Sequence, residues 1–207
     1  KKNIFNIGSP DIDLILNKSK ISFEFIKKRY EISFEKKNYG IFIWHPDSLN
    51  KKKIFKDTEK ILNYLLKTKL NYVVIYPNND HGNDIIIDLI NKKLKKINFK
   101  VFPSVRFENF IEIMRNSKFI IGNSSAGIRE APYFGLNIIN IGNRQNLRSN
   151  NTDIINVSAD DLRNINIKKI IQQNIKIQKQ FGYGNSFQKF YNILNKKSFW
   201  KIKKQKQ

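Results

Sequence analysis

The segment Gly122-Asn123-Ser124-Ser125-Ala126-Gly127-Ile128-Arg129-Glu130-Ala131-Pro132 combines the residue types that hold a phosphate. It follows a short apolar run, Lys118-Phe119-Ile120-Ile121, that reads as a buried strand, and it leads into a helix. A strand, a turn of small residues and a helix start together present backbone N–H groups to an anion. Gly and Ser allow a diphosphate to approach the backbone closely. Glu130 falls about one turn into the helix, where its carboxylate would repel a phosphate. It needs another partner, and a ribose diol is the natural one. This pattern points to a nucleotide diphosphate, held with an attached sugar.

The elements that must position this segment alternate along the chain. Strands are expected at Gly40 to Trp44, Tyr72 to Tyr76, Phe99 to Phe102, Phe119 to Ile121, Ile138 to Ile141 and Ile154 to Val157. Helical spacing of apolar residues marks Ile21 to Tyr30, Ile54 to Leu66, Asp84 to Leu94, Phe107 to Met114 and Ile128 to Phe134, with Gly135 as a stop. Ala159 to Asn174 and Ser186 to Leu194 read as closing helices, and Gly8-Ser9-Pro10-Asp11 as a turn. Nearly all-apolar strands separated by helices predict an α/β fold: a Rossmann-like parallel sheet with helices on both faces. Ligands of such sheets bind beyond the carboxyl ends of the strands. The loops there are His45-Pro46-Asp47-Ser48, Pro77 to Gly82, Pro103 to Phe107, Gly122 to Gly127 and Gly142 to Gln145.

Composition narrows the classes. The chain has 207 residues, no cysteine and two histidines, which excludes disulfides, thiolate metal sites and a His-rich metal cluster. No apolar run reaches the ~20 residues of a membrane span, and no secretory signal is present, so a soluble cytoplasmic protein is expected. The net charge is +22, carried mainly by Lys scattered along the chain. Heavy use of Lys, Asn and Ile fits an AT-rich coding bias. Without an interleaved basic and aromatic stripe, nucleic acid is not the expected partner. The positive field favours an anionic ligand. Lys1 heads the chain in place of Met, so a processed chain or a fragment is expected.

Several stretches resemble the hydrolysing UDP-N-acetylglucosamine 2-epimerases and their relatives acting on UDP-diacetylbacillosamine. They are Tyr76 to Gly82, Gly122 to Pro132, Phe134-Gly135, Ile139 to Gln145, His45-Pro46 and Gly182-Tyr183-Gly184-Asn185. The resemblance runs from about Asn6 to Leu194. It implies one half of a glycosyltransferase-B-type fold, with residues 1–20 as an interdomain link, 21–195 as the UDP-binding domain and 196–207 as a basic tail. It also implies a UDP-sugar substrate, no metal or nicotinamide cofactor, a missing amino-terminal Rossmann-like half that carries the acidic proton-moving residues, and a homodimer. The implied reaction eliminates UDP to a glycal and then adds water, giving N-acetylmannosamine; a UDP-sugar-dependent glycosyltransferase half, which shares fold and donor, is the alternative. The implied pathways are those of sialic and legionaminic acid.

By motif, Ser124 and Ser125 meet the diphosphate and uridine, with helix capping as their alternative role. Asn123 and Gly127 belong to the same phosphate segment, and Glu130 grips the ribose. His45 is the catalytic candidate, helping UDP leave by donating a hydrogen bond or a proton. Asn78 and Asp80 lie near phosphate or sugar, although turn chemistry also explains them. Arg106 and Phe107 fall where the family contacts the base. Arg144 meets a phosphate or pairs with a carboxylate. Three departures stand out: Asn137 where the family has Pro, Leu147 where it has Gly, and His81 where it has a small residue.

Overall fold

The computed structural model describes residues 4–16 and 21–201. Parts of the expected link and basic tail lie outside the described residues. The chain divides into two compact units, one spanning Ile21–Gln178 and the other combining residues from 1–20 and 179–207.

In the second of these units, α1 (Pro10–Leu16) starts at a proline, so the expected turn at Gly8 to Asp11 opens directly into a helix. In the larger unit follow α2 (Phe23–Arg29), β1 (Gly40–Ile43), α3 (Lys51–Thr68), β2 (Tyr72–Ile75), α4 (Asn83–Lys93), β3 (Phe99–Phe102), α5 (Phe107–Asn116), β4 (Phe119–Gly122), α6 (Ser125–Arg129), β5 (Asn137–Ile141), β6 (Ile154–Val157) and α7 (Ile167–Ile170). Helices α8 (Ser186–Leu194) and α9 (Lys197–Trp200) complete the smaller unit. There the Asp13 carboxylate accepts hydrogen bonds from the Ser186 N–H (3.0 Å) and hydroxyl (2.7 Å) and from the Phe187 N–H (2.9 Å), capping α8. Ser186 is the one buried residue of α8; Phe187, Phe190 and Tyr191 are exposed.

The six strands form one parallel sheet in the order β3-β2-β1-β4-β5-β6. Alternate side chains serve its two faces. Phe42, Tyr72, Val74, Ile121, Ile139 and Ile141 pack with Ile61, Leu62 and Leu65 of α3 and Ile86, Leu89 and Ile90 of α4. The intervening Ile41, Val73, Ile120 and Ile138 are equally buried. Burial on both faces is what the unbroken apolar strands require. Asn50 starts α3 by accepting a hydrogen bond from the Lys53 N–H at 3.3 Å.

Two expected helices are shorter than their apolar spacing suggests. The run Ile128 to Phe134 splits: α6 ends at Arg129, and 131–134 tightens to a 3₁₀ turn. Pro132 has no N–H to continue the α-helical ladder. Gly135 closes the turn at φ 60°, donating to the Ala131 and Pro132 carbonyls. Likewise Ala159 to Asn174 contains a 3₁₀ turn at Asp161–Asn164 and then only the four residues of α7. Ile165 is extended between them, and the Asn166 side chain accepts from the Lys169 N–H, restarting the helix instead of continuing one.

Candidate functional site at the strand ends

Strand order reverses between β1 and β4, so their connections leave the sheet in opposite directions. That divergence opens a crevice at the carboxyl edge. Gly122 ends β4 in this crevice with φ 133°. A Cβ there would stand 1.9 Å from the Ile43 carbonyl oxygen. The glycine therefore serves close approach of β4 to β1, where the sequence suggested close approach of a diphosphate.

Asn123 uses that proximity. It is fully buried, and its N–H donates to the Ile43 carbonyl at 3.1 Å. Its side-chain oxygen accepts from the His45 N–H at 2.7 Å, and its side-chain nitrogen donates to the His45 carbonyl at 2.9 Å. The carboxamide thus extends the β1–β4 pairing one step past the register, gripping the His45 backbone from both sides.

His45 is 4% exposed. Its Nδ1 accepts a hydrogen bond from the Asn78 N–H at 3.1 Å. That contact assigns the single proton of the neutral ring to Nε2. Burial, reinforced by the Arg144 charge and opposed by Asp80, pushes the His45 pKa down to about 4. The imidazole is neutral at pH 7.

The loop after β5 closes over the same point. Arg144, half-buried, reaches the Asn123 carbonyl (3.4 Å) and the Asp80 carboxylate (3.6 Å). The buried Gln145 donates to the Asn123 carbonyl at 2.8 Å and accepts from Arg148 at 3.3 Å. Of its two expected roles, Arg144 here fills the carboxylate-pairing one. Leu147, three residues on, is fully exposed and left-handed at φ 62°, a conformation suited to the glycine expected there.

Ser124 caps the short helix α6. Its hydroxyl accepts from the Ala126 N–H (3.3 Å) and its carbonyl from the Gly127 N–H (3.1 Å). Two amides at the helix head are therefore engaged within the turn. Ser125, half-buried, is the first helical residue. Gly127 is buried, and a Cβ on it would meet Ile138 and Ile120 at 3.6 and 3.7 Å, so it packs on the sheet. Glu130 is half-buried and terminates the helix, later than the position expected for it.

Hydrogen bonds and ion pairing thus join His45, Asn78, Asp80, Asn123 and Arg144, drawn from four loops. Ser124 and Ser125 adjoin them in the chain. Arg106 and Phe107 sit where β3, an edge strand, hands over to α5, two strands from β1, and both are exposed. His81 is exposed beside Gly82. Gln145 and Gly122 are structural members of the site that residue type alone assigned to ligand contact or left unassigned. No helix of the described residues is long and apolar enough to cross a membrane.

A family model described as UDP-N-acetylglucosamine 2-epimerase matches residues 1–195. A UDP-N-acetylglucosamine 2-epimerase of Neisseria meningitidis serogroup B is 35% identical, over 100% of this chain and 55% of the relative. A UDP-N,N'-diacetylbacillosamine 2-epimerase (hydrolyzing) of Legionella pneumophila is 28% identical, over 94% and 52%. The chain thus spans about half the length of the curated relatives it matches. Among solved structures, a UDP-GlcNAc 2-epimerase of Methanocaldococcus jannaschii, in complex with UDP-GlcNAc and UDP, has a TM-score of 0.68 at 16% identity, covering 93% of this chain and 55% of that one. The fold is a Rossmann-like half of the glycosyltransferase-B type.

Proposed function

The chain belongs to the UDP-N-acetylglucosamine 2-epimerase family, and from that premise we propose that it is the UDP-binding half of a hydrolysing member. The carrying observation is the convergence of His45, Arg144 and the Ser124-Ser125 turn at the carboxyl ends of three adjacent strands, around the point where the strand order reverses. A cation, hydroxyls and a buried imidazole at that edge suit a diphosphate. In this proposal Ser124, Ser125 and Arg144 hold the phosphates, Glu130 the ribose diol, and Arg106 and Phe107 the uracil. Asn78 and Asp80 border the sugar, and His45 faces the departing UDP.

UDP leaves from C1 as a base takes the C2 proton, and water then adds to the glycal. The proton-moving carboxylates come from an amino-terminal half, as the relatives' length supports. The aromatic face exposed on α8 suits a chain built to meet another surface. UDP-N-acetylglucosamine and UDP-diacetylbacillosamine are the two substrate candidates, which corresponds to cytoplasmic sialic or legionaminic acid synthesis by a homodimer.

Calorimetry with UDP tests the binding proposal. UDP binds, and Ser125→Ala and Glu130→Ala each weaken it by at least ~1 kcal/mol, the worth of a charged hydrogen bond. Equal affinity in the parent and both variants removes these assignments.

A further inference from the structure

We infer that the Asn123 side chain and the backbone amide of Asn78 are positioning groups that lock His45 as a hydrogen-bond donor through Nε2, so that it steadies negative charge without transferring a proton. The lock itself stands on geometry. Its use toward a leaving diphosphate rests on the UDP-sugar reading above.

A neutral imidazole has one acceptor nitrogen and one donor nitrogen. The Asn78 N–H is a donor fixed in the backbone and cannot reverse its polarity, so Nδ1 facing it at 3.1 Å has to accept. Protonating Nδ1 would set N–H against N–H in a buried place. The ring cannot escape by shifting its backbone, because Asn123 holds the His45 N–H and carbonyl together at 2.7 and 2.9 Å. Asn123 is itself held through its own N–H by Ile43 and through its carbonyl by Gln145.

The charged groups around the ring come from two loops, Asp80 after β2 and Arg144 after β5, and they pair with each other. The β4 loop, Asn123 to Ala126, carries no charge. On the loop of His45 itself, Asp47 faces Lys53 at 3.9 Å. Asp80, the carboxylate whose charge reaches the ring, is thus itself paired with Arg144, and its pull on a second proton is outweighed by burial and the Arg144 charge. A fixed Nε2–H donor, where a diphosphate meets it, stabilises developing negative charge with little reorganisation. In this arrangement the diphosphate departs as the anion, and no proton passes through His45.

Nitrogen NMR of the whole chain, labelled with ¹⁵N, tests the lock, with His81→Gln assigning the two histidines. The expected wild-type spectrum shows an unprotonated Nδ1, a protonated Nε2, a coupling across the Asn78 N–H···Nδ1 bond, and protonation only near pH 4. Asn78→Pro, at an exposed position, deletes the donor amide. It should release a second tautomer and raise the midpoint by about one pH unit. Asn123→Ala should raise the midpoint similarly by freeing the His45 backbone.

A protonated Nδ1 in the wild type overturns the inference, as does a folded Asn78→Pro variant with unchanged tautomer and midpoint. Should Asn123→Ala fail to fold, the wild-type coupling and the Asn78→Pro spectrum still decide. UDP affinity that between pH 5 and 8 follows only the ionisation of UDP's own terminal phosphate, at about pH 6, supports the donor role. An affinity rising on acidification in step with His45 protonation refutes it. Absence of UDP binding at every pH defeats the UDP reading alone, and the spectra still decide the lock.

Discussion

Gly122 and Gly127 lie five residues apart in one motif, yet alanine should have opposite effects at the two. At Gly122 the new Cβ would stand 1.9 Å from the Ile43 carbonyl oxygen, where ordinary contact begins at 3.4 Å. The ends of β1 and β4 must separate by about 1.5 Å to admit it, the difference between those distances. That separation breaks the Asn123 N–H bond to Ile43 and both carboxamide bonds to His45. Three hydrogen bonds at ~1 kcal/mol each, with ~1 kcal/mol or more for a side chain at strongly positive φ, give a loss of about 4 kcal/mol. At Gly127 the Cβ would meet Ile138 and Ile120 at ordinary contact distances. Alanine there gains ~0.5–1 kcal/mol of helix preference over glycine. Urea unfolding followed by circular dichroism measures both variants, and UDP calorimetry follows the site. Gly122→Ala should lose stability and UDP together, while Gly127→Ala keeps both. A Gly122→Ala protein within ~1 kcal/mol of the parent would refute the argument that this glycine exists for backbone contact.

Three further outcomes are expected. His45 has a folded pKa of about 4 against an ordinary 6.5, so between those values the unfolded chain binds more protons. Stability therefore rises with pH across that window, is complete above 6.5, and falls by about 3 kcal/mol on acidification to 4; urea midpoints at several pH values check this, and His45→Gln should flatten the trend. Leu147→Gly relieves ~1–2 kcal/mol of left-handed strain, offset by up to ~1 kcal/mol of unfolded-chain entropy. Calorimetric melting should show an unchanged or higher Tm, by ~2–4 °C per kcal/mol gained, and a fall would contradict the strain. Asp80→Asn removes a partly exposed ion pair worth under ~1 kcal/mol and frees Arg144. Stability should scarcely change while UDP binds more tightly, whereas tighter binding in Arg144→Gln would show that Arg144 does not hold phosphate.

The sheet is legible in the sequence because both of its faces are covered. Runs such as Phe119-Ile120-Ile121 have no polar alternation to confuse them with an exposed strand. The helices are less so, because apolar spacing records which face is buried and not whether the backbone ladder continues. Pro132 and the extended Ile165 interrupt ladders that Ile128 to Phe134 and Ala159 to Asn174 otherwise suggest. At the site, residue type and strand-end position locate His45, Ser124, Ser125 and Arg144. The role of Asn123 is hidden because its partner His45 lies 78 residues earlier, and an Asn in a loop looks the same whether it grips backbone or ligand. Gly122 is ambiguous for a related reason: the absence of a side chain permits approach by a phosphate or by a neighbouring strand.

The proposed seat of the UDP diphosphate is the carboxyl edge between β1 and β4. Amide NMR of the chain titrated with UDP measures this directly. Saturable shifts are expected at His45, Asn78, Asn123 to Ser125, Glu130 and Arg144, with the amino ends of the strands unchanged. Shifts confined elsewhere, or none at millimolar UDP, would contradict it.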